Sequence, residues 1–423
     1  MTARSGLVRL RFRTKANPTK GEIVSLPSDT EVSFVPMEAI GENGVLRLEA
    51  TKSLAAVSEG YTYFREGDVI IAKITPCFEN GKGAVAEGLR NGVGFGTTEL
   101  HVLRPLGDVD ARYLYYLSCA AHFRQAGAAW MTGAGGQKRV PEKFVKDFRV
   151  AFPTISEQRR IAAALDNRVS DIDCLIRDKQ NVRALLREQR LATISRGVTG
   201  LDRRDLTAAT TIPWLQQLPK TWDVRRLRFL AQVRQGIAKG RKLKGDSIRL
   251  PYLRVANVQD GYIDLSDIAE IEVMPSEVDR YALRSGDLLM NEGGDYDKLG
   301  RGAVWRGEIE PCLHQNHVFA VRFHDADLST WVSLVTQSAY AKHYFMTRGK
   351  QSTNLASISS KNLKNLPVVI PPRAVRDTTV KAVLAAVREC DELSETVTAA
   401  LKRLEELRTA VITEQFASAF TTH

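Results

Sequence analysis

Two long segments of the chain place apolar residues at the spacing of an α-helical heptad. Residues 154–196 contain no Pro or Gly, and a second heptad-patterned segment covers residues 372–418. Apolar residues that recur every three or four positions form one stripe along a helix. The pattern predicts two helices of about 40 residues, each roughly 60 Å long. The predicted helix-pairing residues are Leu165, Ile172, Leu175, Val182 and Leu186 in the first helix, and Val383, Val387, Val397, Leu401, Leu404 and Val411 in the second.

Stripes of this length need a long partner surface. A module of about 150 residues is only ~30–40 Å across, which is shorter than either helix. We therefore expect the two helices to pack on each other as an antiparallel coiled coil, although Arg168, Lys179 and Gln189 interrupt the first stripe. The alternative is that each helix packs on its own domain. At the start of the first helix, Thr154 and Glu157 have the spacing of a capping box.

The rest of the sequence reads as short strands between glycine-containing turns. Dense Val, Ile and Leu runs occur in DVIIAKI (68–74), GAVAEG (83–88) and ELHVLRP (99–105), and again in DLLMNEG (287–293), GAVWRG (302–307) and HVFAVRF (317–323). One short helix is expected after each set, within residues 110–127 and 328–345. Each part of the chain is therefore predicted to mix helix and strand.

The chain also repeats itself at an offset of 217 to 219 residues. VRLRF at 8–12 matches RRLRF at 225–229, and EKFVKDFRVAFP at 142–153 matches SKNLKNLPVVIP at 360–371. A period this long indicates duplicated domains, because solenoid and propeller repeats are much shorter. We predict an α+β fold with two pseudo-repeated mixed α/β modules and two long helices packed as an antiparallel coiled coil. The predicted order is module 1–152, helix 153–198, module 199–371 and helix 372–418.

Composition and charge narrow the function. The 423 residues carry a formal net charge of +11 and a pI near 9.4, which favours a polyanionic partner such as duplex DNA. We find no apolar run of membrane-spanning length and no secretory signal pattern, so no membrane partner is expected. Five cysteines occur singly, with no C-x-x-C pair, which indicates neither a disulfide framework nor a zinc site. A reducing cytoplasm is the expected location.

Two similar basic modules on a helical spacer suit a duplex read at two half-sites, which differ because the modules differ. Basic, glycine-rich or amide-bearing stretches supply candidates, since base edges are read by side-chain donors and acceptors and phosphates by cations. The alternative for each stretch is a solvated loop. The predicted DNA-contacting residues are Gln137, Lys138, Arg139, Arg234, Lys239, Arg241, Lys242, Lys244, Tyr296, Lys298, Arg301, Lys350, Gln351 and Asn354.

Motifs for catalysis are missing from the sequence. There is no phosphate-binding P-loop pattern and no Asn- or Asp-Pro-Pro-aromatic tetrad of the amino-methyltransferases. GVGFGT at 92–97 precedes a strand, and His314 and His317 in HQNH have no further ligands nearby in sequence. We therefore predict no catalytic and no metal-binding residue. Two alternatives stay open: an enzyme with an undetected nuclease or methyltransferase site, and a protein-interaction adaptor whose basic charge is incidental.

Several motifs resemble those of a known family, the specificity subunits of type I restriction–modification systems. PTISEQRRIAAALD at 153–166 resembles the opening of the family's first spacer helix. GVTGLD at 197–202 and WLQQLPKTWDVRRLRFL at 214–230 resemble the linker and the start of the second target-recognition domain. The resemblance covers almost the whole chain, including the repeat and the positions of both long helices. An associated specificity protein of the type II kind is a related alternative.

The resemblance implies a non-catalytic subunit that reads a bipartite, asymmetric DNA target. It implies methyltransferase subunits that use S-adenosylmethionine, and restriction subunits that use ATP and magnesium, with no cofactor bound by this chain. Glu157, Gln158 and Ile161 are expected near the methyltransferase contact. The second junction departs from the pattern, because Arg376 and Asp377 stand where the first has Gln158 and Arg159. The N-terminus also lacks a copy of WLQQLPKTW, so a second methyltransferase contact is less well supported.

Overall fold

The chain forms two compact units that both draw on the two long helices. A computed structural model describes residues 6–134, 136–201, 206–210, 212, 215, 217–241, 245–294, 299–351 and 356–420, apart from the side chains of residues 206–209, 351 and 418. Unit 1 comprises residues 1–181 and 398–423, and unit 2 comprises residues 182–397. Helix α5, Ile155–Thr199, and helix α10, Arg373–Phe420, each contribute one half to each unit.

The first module folds as three small sheets with four helices. Two four-stranded sheets have the orders β2-β9-β6-β7 and β4-β3-β8-β5, and β1 pairs with β10. The strands are β1 Val8–Arg9, β2 Thr14–Ala16, β3 Glu31–Val35, β4 Thr51–Ser53, β5 Thr62–Arg65, β6 Val69–Ala72, β7 Gly83–Val85, β8 Val93–Gly96, β9 Leu100–Pro105 and β10 Arg149–Val150; the helices are α1 Leu54–Val57, α2 Ala111–Cys119, α3 Ala121–Ala129 and α4 Glu142–Asp147.

The second module repeats this arrangement. Its sheets have the orders β14-β21-β17-β19, β16-β15-β20 and β18-β23-β22, with pairs β13-β24 and β11-β12. The strands are β11 Leu206–Ala209, β12 Gln217–Pro219, β13 Asp223–Arg226, β14 Ala231–Gln235, β15 Ile248–Leu253, β16 Ala269–Val273, β17 Leu288–Asn291, β18 Gly293–Gly294, β19 Gly302–Val304, β20 Leu313–His314, β21 Val318–Phe323, β22 Lys350–Gln351, β23 Ala356–Ser357 and β24 Pro367–Ile370; the helices are α6 Val278–Tyr281, α7 Leu328–Gln337, α8 Ala339–Arg348 and α9 Ser360–Lys364.

The two modules share one strand topology. The antiparallel sheet β2-β9-β6-β7 has its counterpart in β14-β21-β17-β19, strand for strand along the repeat. The second sheets also correspond, because β3 pairs antiparallel with β4 and parallel with β8, as β15 does with β16 and β20. The six predicted strand runs all contain strands of these sheets. The predicted fold class, a repeated mixed α/β module, is confirmed.

Each predicted short helix is in fact two helices. Ala120 separates α2 from α3 and Ser338 separates α7 from α8, and both residues have extended backbone angles. The Ser338 hydroxyl accepts a hydrogen bond from the Ala341 N–H and so caps the second helix. The prediction of one helix was wrong because helix-forming residues continue across both breaks and the sequence shows no Pro or Gly there.

The long helices run antiparallel within each unit. In unit 1, Nε of Arg408 in α10 lies 2.8 Å from Oδ1 of Asp173 in α5. In unit 2, Nε of Arg190 in α5 lies 3.0 Å from Oδ1 of Asp391 in α10. The two ion pairs are counterparts along the repeat, with the helices exchanged. The N-terminal part of each long helix therefore packs against the C-terminal part of the other, as predicted for a coiled coil.

The buried stripe on α10 matches the prediction, whereas the stripe on α5 matches it only in part. Leu175 and Val182 are 49% and 41% exposed, so their assignment to the pairing face is wrong. The stripe passes instead through Ile176 and Arg183, which are partly buried. The remaining predicted pairing residues are buried or half-buried: Leu165, Ile172, Leu186, Val383, Val387, Val397, Leu401, Leu404 and Val411.

Both helices complete the core of each unit. In unit 1, Leu165 and Val169 of α5 and Phe416 of α10 join the residues of α2 in one buried cluster. In unit 2, Ile194 and Val198 of α5 and Val383 and Val387 of α10 join Trp331 and other buried residues of the second module. The cores therefore include residues that are distant in sequence. Among the described residues, no helix is both long enough and apolar enough to cross a membrane.

Candidate nucleic-acid interface

In the first module, the predicted loop 132–140 is a hairpin anchored beside β6. Backbone hydrogen bonds join Thr132 and Arg139 in both directions, at 3.1 and 2.8 Å, and Thr75 N–H donates to the Lys138 carbonyl at 2.9 Å. Gly133 has a φ of +139°, and a Cβ there would lie 2.5 Å from the Gln137 carbonyl oxygen. Glycine is therefore required at this turn.

The side chain of Arg139 is held by a carboxylate. Its Nε donates to Oε2 of Glu99 at 2.9 Å, and its Nη2 donates to Oε1 at 2.8 Å. Hydrogen bonds from Arg139 hold the pKa of Glu99 below its ordinary value, so the pair is ionised at neutral pH. The Arg139 side chain remains 43% exposed, and the neighbouring residues Gln137 and Lys138 are exposed. This arrangement presents an oriented cation and two further polar side chains to solvent.

In the second module, Arg234 and Arg241 of the basic loop 234–245 already donate hydrogen bonds to acceptors within the protein. Nη2 of Arg234 donates to the carbonyl of Arg280, and burial together with the charge of Arg322 lowers the pKa of Arg234. Arg241 donates to Glu277 at 2.8 and 3.2 Å. Both arginines are therefore held by acceptors within their own module. Lys239 is exposed, and Lys242 and Lys244 lie outside the described residues.

The other predicted residues of this module occupy two places. Arg301 donates to Oε1 of Gln259 at 3.3 Å and lines a cavity of about 1040 Å³ together with Arg190 and Lys342. Lys350 is exposed on β22, which pairs with β23. Tyr296, Lys298, Asn354 and the side chain of Gln351 lie outside the described residues. Arg301 therefore lines a cavity, whereas Lys350 is exposed on a strand.

The loop at Asn316 and His317 joins stretches that the sequence treats separately. Asn316 N–H donates to the Ile237 carbonyl of the basic loop at 3.0 Å. Glu292 N–H donates to the His317 carbonyl at 2.9 Å, and β18, which follows Glu292, pairs with β23. Nδ1 of His317 lies 2.7 Å from Oε2 of Glu292. The basic loop and the strands around Lys350 therefore meet around the pair of His317 and Glu292. In the sequence, His317 stood out only as a possible metal ligand, and Glu292 did not stand out.

The histidines of HQNH have different environments. His314 is 1% exposed, and its Nδ1–H donates to the Val318 carbonyl at 2.8 Å. His317 is 55% exposed. Within the described ranges, no group of three or more His, Cys, Asp or Glu residues is placed to hold a metal ion. Glu99 and Glu292 were missed by the sequence analysis, because their partners are distant in sequence and no local motif marks them.

At the first helix junction, the predicted partner-binding residues differ in exposure. Gln158 is 0% exposed, and its amide donates to the carbonyls of Asp108 and Pro153 at 2.9 Å each. Its Oε1 accepts from the Asp110 N–H at 3.0 Å. The Gln158 side chain therefore fastens α5 to the loop before α2 and is not itself on the surface, and its place near a methyltransferase contact stays a prediction.

The two other residues are more accessible. Glu157 is partly exposed and accepts two hydrogen bonds from Arg160, which lower the pKa of Glu157. Its N–H donates to the Thr154 hydroxyl at 3.3 Å, which is one arm of the predicted capping box. Ile161 packs against the unit 1 core and is partly buried.

The second junction uses an equivalent position with different chemistry. Arg376, the counterpart of Gln158, is 5% exposed, and its Nη2 lies 3.9 Å from Oδ2 of Asp325. The position is thus buried at both junctions, with a neutral amide in one and a guanidinium in the other. The departure seen in the sequence changes how the helix is fastened to its module, while the helix still begins at Arg373.

Comparison with known proteins identifies similar chains. No family model matches this chain. The type I restriction enzyme EcoAI specificity subunit of Escherichia coli is 42% identical over 166 residues, which cover 38% of this chain and 28% of that subunit. The EcoEI specificity subunit of Escherichia coli is 25% identical over 448 residues, covering 86% of this chain and 75% of that subunit.

Structural similarity covers nearly the full length. A chain from a solved structure of a type I restriction–modification system aligns with a TM-score of 0.64 at 20% identity, over 97% of both chains. This match shows a shared fold. The curated homologues of the chain are type I restriction enzyme specificity subunits, which confirms the resemblance.

Proposed function

We propose that the chain is the non-catalytic specificity subunit of a type I restriction–modification complex. The observation that carries the proposal is the duplicated module, in which both copies contain a four-stranded sheet of the same order, β2-β9-β6-β7 and β14-β21-β17-β19, and both build their cores with α5 and α10. A duplicated reader with two different polar surfaces fits a bipartite, asymmetric DNA target. The net charge of +11 favours the same polyanionic ligand.

The remaining parts of the proposal concern partners. Methyltransferase subunits would bring S-adenosylmethionine, and restriction subunits would bring ATP and magnesium, while this chain binds none of them. Glu157 and Ile161 at the first junction are candidates for the methyltransferase contact, with Gln158 acting through the helix it fastens. Such a complex acts on DNA in the cytoplasm.

Co-expression with the adjacent methyltransferase gene tests the proposal. Genome-wide mapping of methylated bases should show a discontinuous, asymmetric motif that is absent without this chain. Methylation or cleavage by the purified chain alone would indicate an enzyme and refute the assignment. Binding of the assembled complex to duplex DNA that does not weaken with rising salt would contradict a phosphate-contacting interface.

Exchange of one module tests independent reading. Replacement of residues 1–152 by the corresponding part of a related subunit should change one half of the methylated motif and leave the other half unchanged, since each unit has its own core. A change in both halves would contradict independent reading by the two modules. The matched control is exchange of the second module, which should alter the other half.

A further inference from the structure

Both modules contain the same backbone junction, directly after the inner strands β6 and β17 of their four-stranded sheets. In the first, Lys73 N–H donates to the Glu99 carbonyl at 2.9 Å, and Val140 N–H donates to the Lys73 carbonyl at 2.8 Å. In the second, Glu292 N–H donates to the His317 carbonyl at 2.9 Å, and Ile358 N–H donates to the Glu292 carbonyl at 2.8 Å. These residues correspond along the repeat, so the same backbone arrangement occurs once in each module. We call this arrangement the frame.

The side chains on this frame differ between the modules. The first carries the bidentate pair Arg139–Glu99, and the second carries His317–Glu292 with Asn316 Nδ2 at 3.4 Å from Nε2 of His317. A constant backbone with changed hydrogen-bond donors and acceptors is what two readers of different base pairs require. The buried ion pairs Asp68–Arg104 and Asp287–Arg322, by contrast, have the same residue types at corresponding positions.

Arg139 has the geometry of a reader of guanine. Glu99 accepts hydrogen bonds from Nε and from one N–H of Nη2. The outer edge of the guanidinium, formed by Nη1 and the second N–H of Nη2, is not used by Glu99. The bond from Nη1 to the Gln137 carbonyl is long, at 3.4 Å. An arginine edge with two parallel N–H groups matches O6 and N7 of guanine in the major groove. Because the hairpin and Glu99 hold the side chain in place, little rotamer entropy is lost on binding.

We propose that Arg139 reads one guanine, through O6 and N7, in the half-site of the first module, and that Glu99 is its positioning residue. This inference rests on the proposed function. In the second module, Ser357 stands at the position of Arg139 and His317 at the position of Glu99. The frame there lacks a guanidinium edge, so that half-site is read by a different set of donors and acceptors.

Methylome mapping of the co-expressed complex provides the first test. Arg139→Ala should abolish the preference for guanine at one position in one half of the motif and leave the other half intact. The matched control is Arg90→Ala, which removes another exposed arginine of the first module that pairs with a glutamate, Glu31, at 3.1 Å. The control variant should methylate the unchanged motif.

A binding assay with a modified base provides the second test. Replacing the guanine by 7-deazaguanine removes N7 only, and it should weaken binding of the wild-type complex roughly 10- to 100-fold. The Arg139→Ala complex should bind both duplexes equally. Glu99→Gln should weaken binding to the guanine duplex more than binding to the 7-deazaguanine duplex, because the modified base keeps only the O6 contact. A purely structural role of Glu99 would weaken binding to both duplexes alike.

The outcomes separate this inference from the proposed function. A wild-type complex that methylates a bipartite motif, with Arg139→Ala giving the identical motif, would overturn the guanine assignment and leave the function standing. Insensitivity to 7-deazaguanine at every guanine of the motif would do the same. A wild-type complex without any sequence preference would overturn the function itself. If Arg139→Ala lowers the melting temperature, Arg139→Lys is used in its place. Lysine keeps the positive charge but lacks the two parallel N–H groups, so this variant should also lose the guanine preference.

Discussion

Asp68 and Arg104 form one of two corresponding buried ion pairs. Nε and Nη2 of Arg104 donate to the two carboxylate oxygens at 2.7 and 2.8 Å, and the Asp68 side chain is 1% exposed. The same carboxylate accepts from the Arg65 N–H, as Asp287 does from the Arg284 N–H in the second module. Each pair therefore closes a turn and joins two strands, which explains why it occurs in both modules.

Removing the Asp68 charge tests the importance of the pair. Asp68→Asn should lower the free energy of unfolding by about 3 kcal/mol, because a buried guanidinium loses its bidentate partner and retains only Glu22. The measurement is urea unfolding followed by circular dichroism. Asp29→Asn, at an exposed site, is the control and should change stability by less than about 0.5 kcal/mol.

The buried His314 predicts pH-dependent stability. Its pKa is lowered from 6.5 to about 4, mainly by burial and also by the charges of Arg234 and Arg322, while the bond to Val318 and the charge of Asp287 oppose the shift. Since the unfolded histidine binds a proton more readily, stability is complete above pH 6.5 and falls as the pH drops towards 4. The loss should reach about 3 kcal/mol.

Substitution of this histidine provides the check. His314→Gln cannot titrate, so it should flatten the dependence of unfolding free energy on pH between 6.5 and 4. An unchanged slope in this variant would show that other groups cause the dependence. His101 is also buried, with its pKa lowered by burial, and it contributes a slope of the same sign in the first module.

At the scale of elements, the stripe on the long helices depends on more than the apolar residues. Heptad counting placed Leu175 and Val182 on the pairing face, yet the buried face of α5 passes through Ile176 and Arg183. A polar residue with a long aliphatic stem can occupy such a position, with its charged end at the edge. Sequence spacing alone does not distinguish two adjacent candidate stripes on one helix.

Two leucine substitutions compare the faces directly. Leu401→Ala should lower the unfolding free energy by about 2–4 kcal/mol, since Leu401 is 5% exposed and its truncation leaves a cavity. Leu175→Ala, on a side chain 49% exposed, should change it by less than about 0.5 kcal/mol. Equal effects in denaturant unfolding would mean that the assignment of the buried face is incorrect.

At the scale of the whole molecule, the C-terminal part of α10 packs against the first module within unit 1. Phe416, near the C-terminal end of α10, is 0% exposed and lies with its ring centroid 5.0 Å from that of Tyr113 in α2. The Ala151 N–H donates to the Ala419 carbonyl at 3.0 Å. The last turns of the chain therefore belong to the core of the first module.

Truncation of this phenylalanine should have a local effect. Phe416→Ala should cost about 3–5 kcal/mol by leaving a cavity in the core of unit 1. Hydrogen exchange should show faster exchange in α2 of unit 1, while strands β17 and β21 of unit 2 keep the wild-type rates, because unit 2 has a separate core. Faster exchange of similar size in both units would contradict two separate cores.

The sequence by itself determined the duplication, the fold class, the extent of both long helices and three of the four strands in each of the corresponding sheets β2-β9-β6-β7 and β14-β21-β17-β19. The helices and strands follow from the pattern of neighbouring residues. The duplication follows from the similarity of segments at a constant offset along the chain. The homologues confirm the family resemblance drawn from the same motifs. The stretch 132–140 was also singled out in this way as a candidate for DNA contact, since Gly and basic residues mark it locally, whereas its hairpin pairing came from the structure.

Only the tertiary structure decided which side chains act together. Glu99 meets Arg139, Glu292 meets His317, and Gln158 is buried against the loop before α2, although nothing in their local sequence specifies these partners. The choice between Leu175 and Ile176 on α5 likewise depended on the opposing helix. The physical reason is that hydrogen bonds, ion pairs and burial are fixed by contacts between distant segments, which a one-dimensional pattern does not contain.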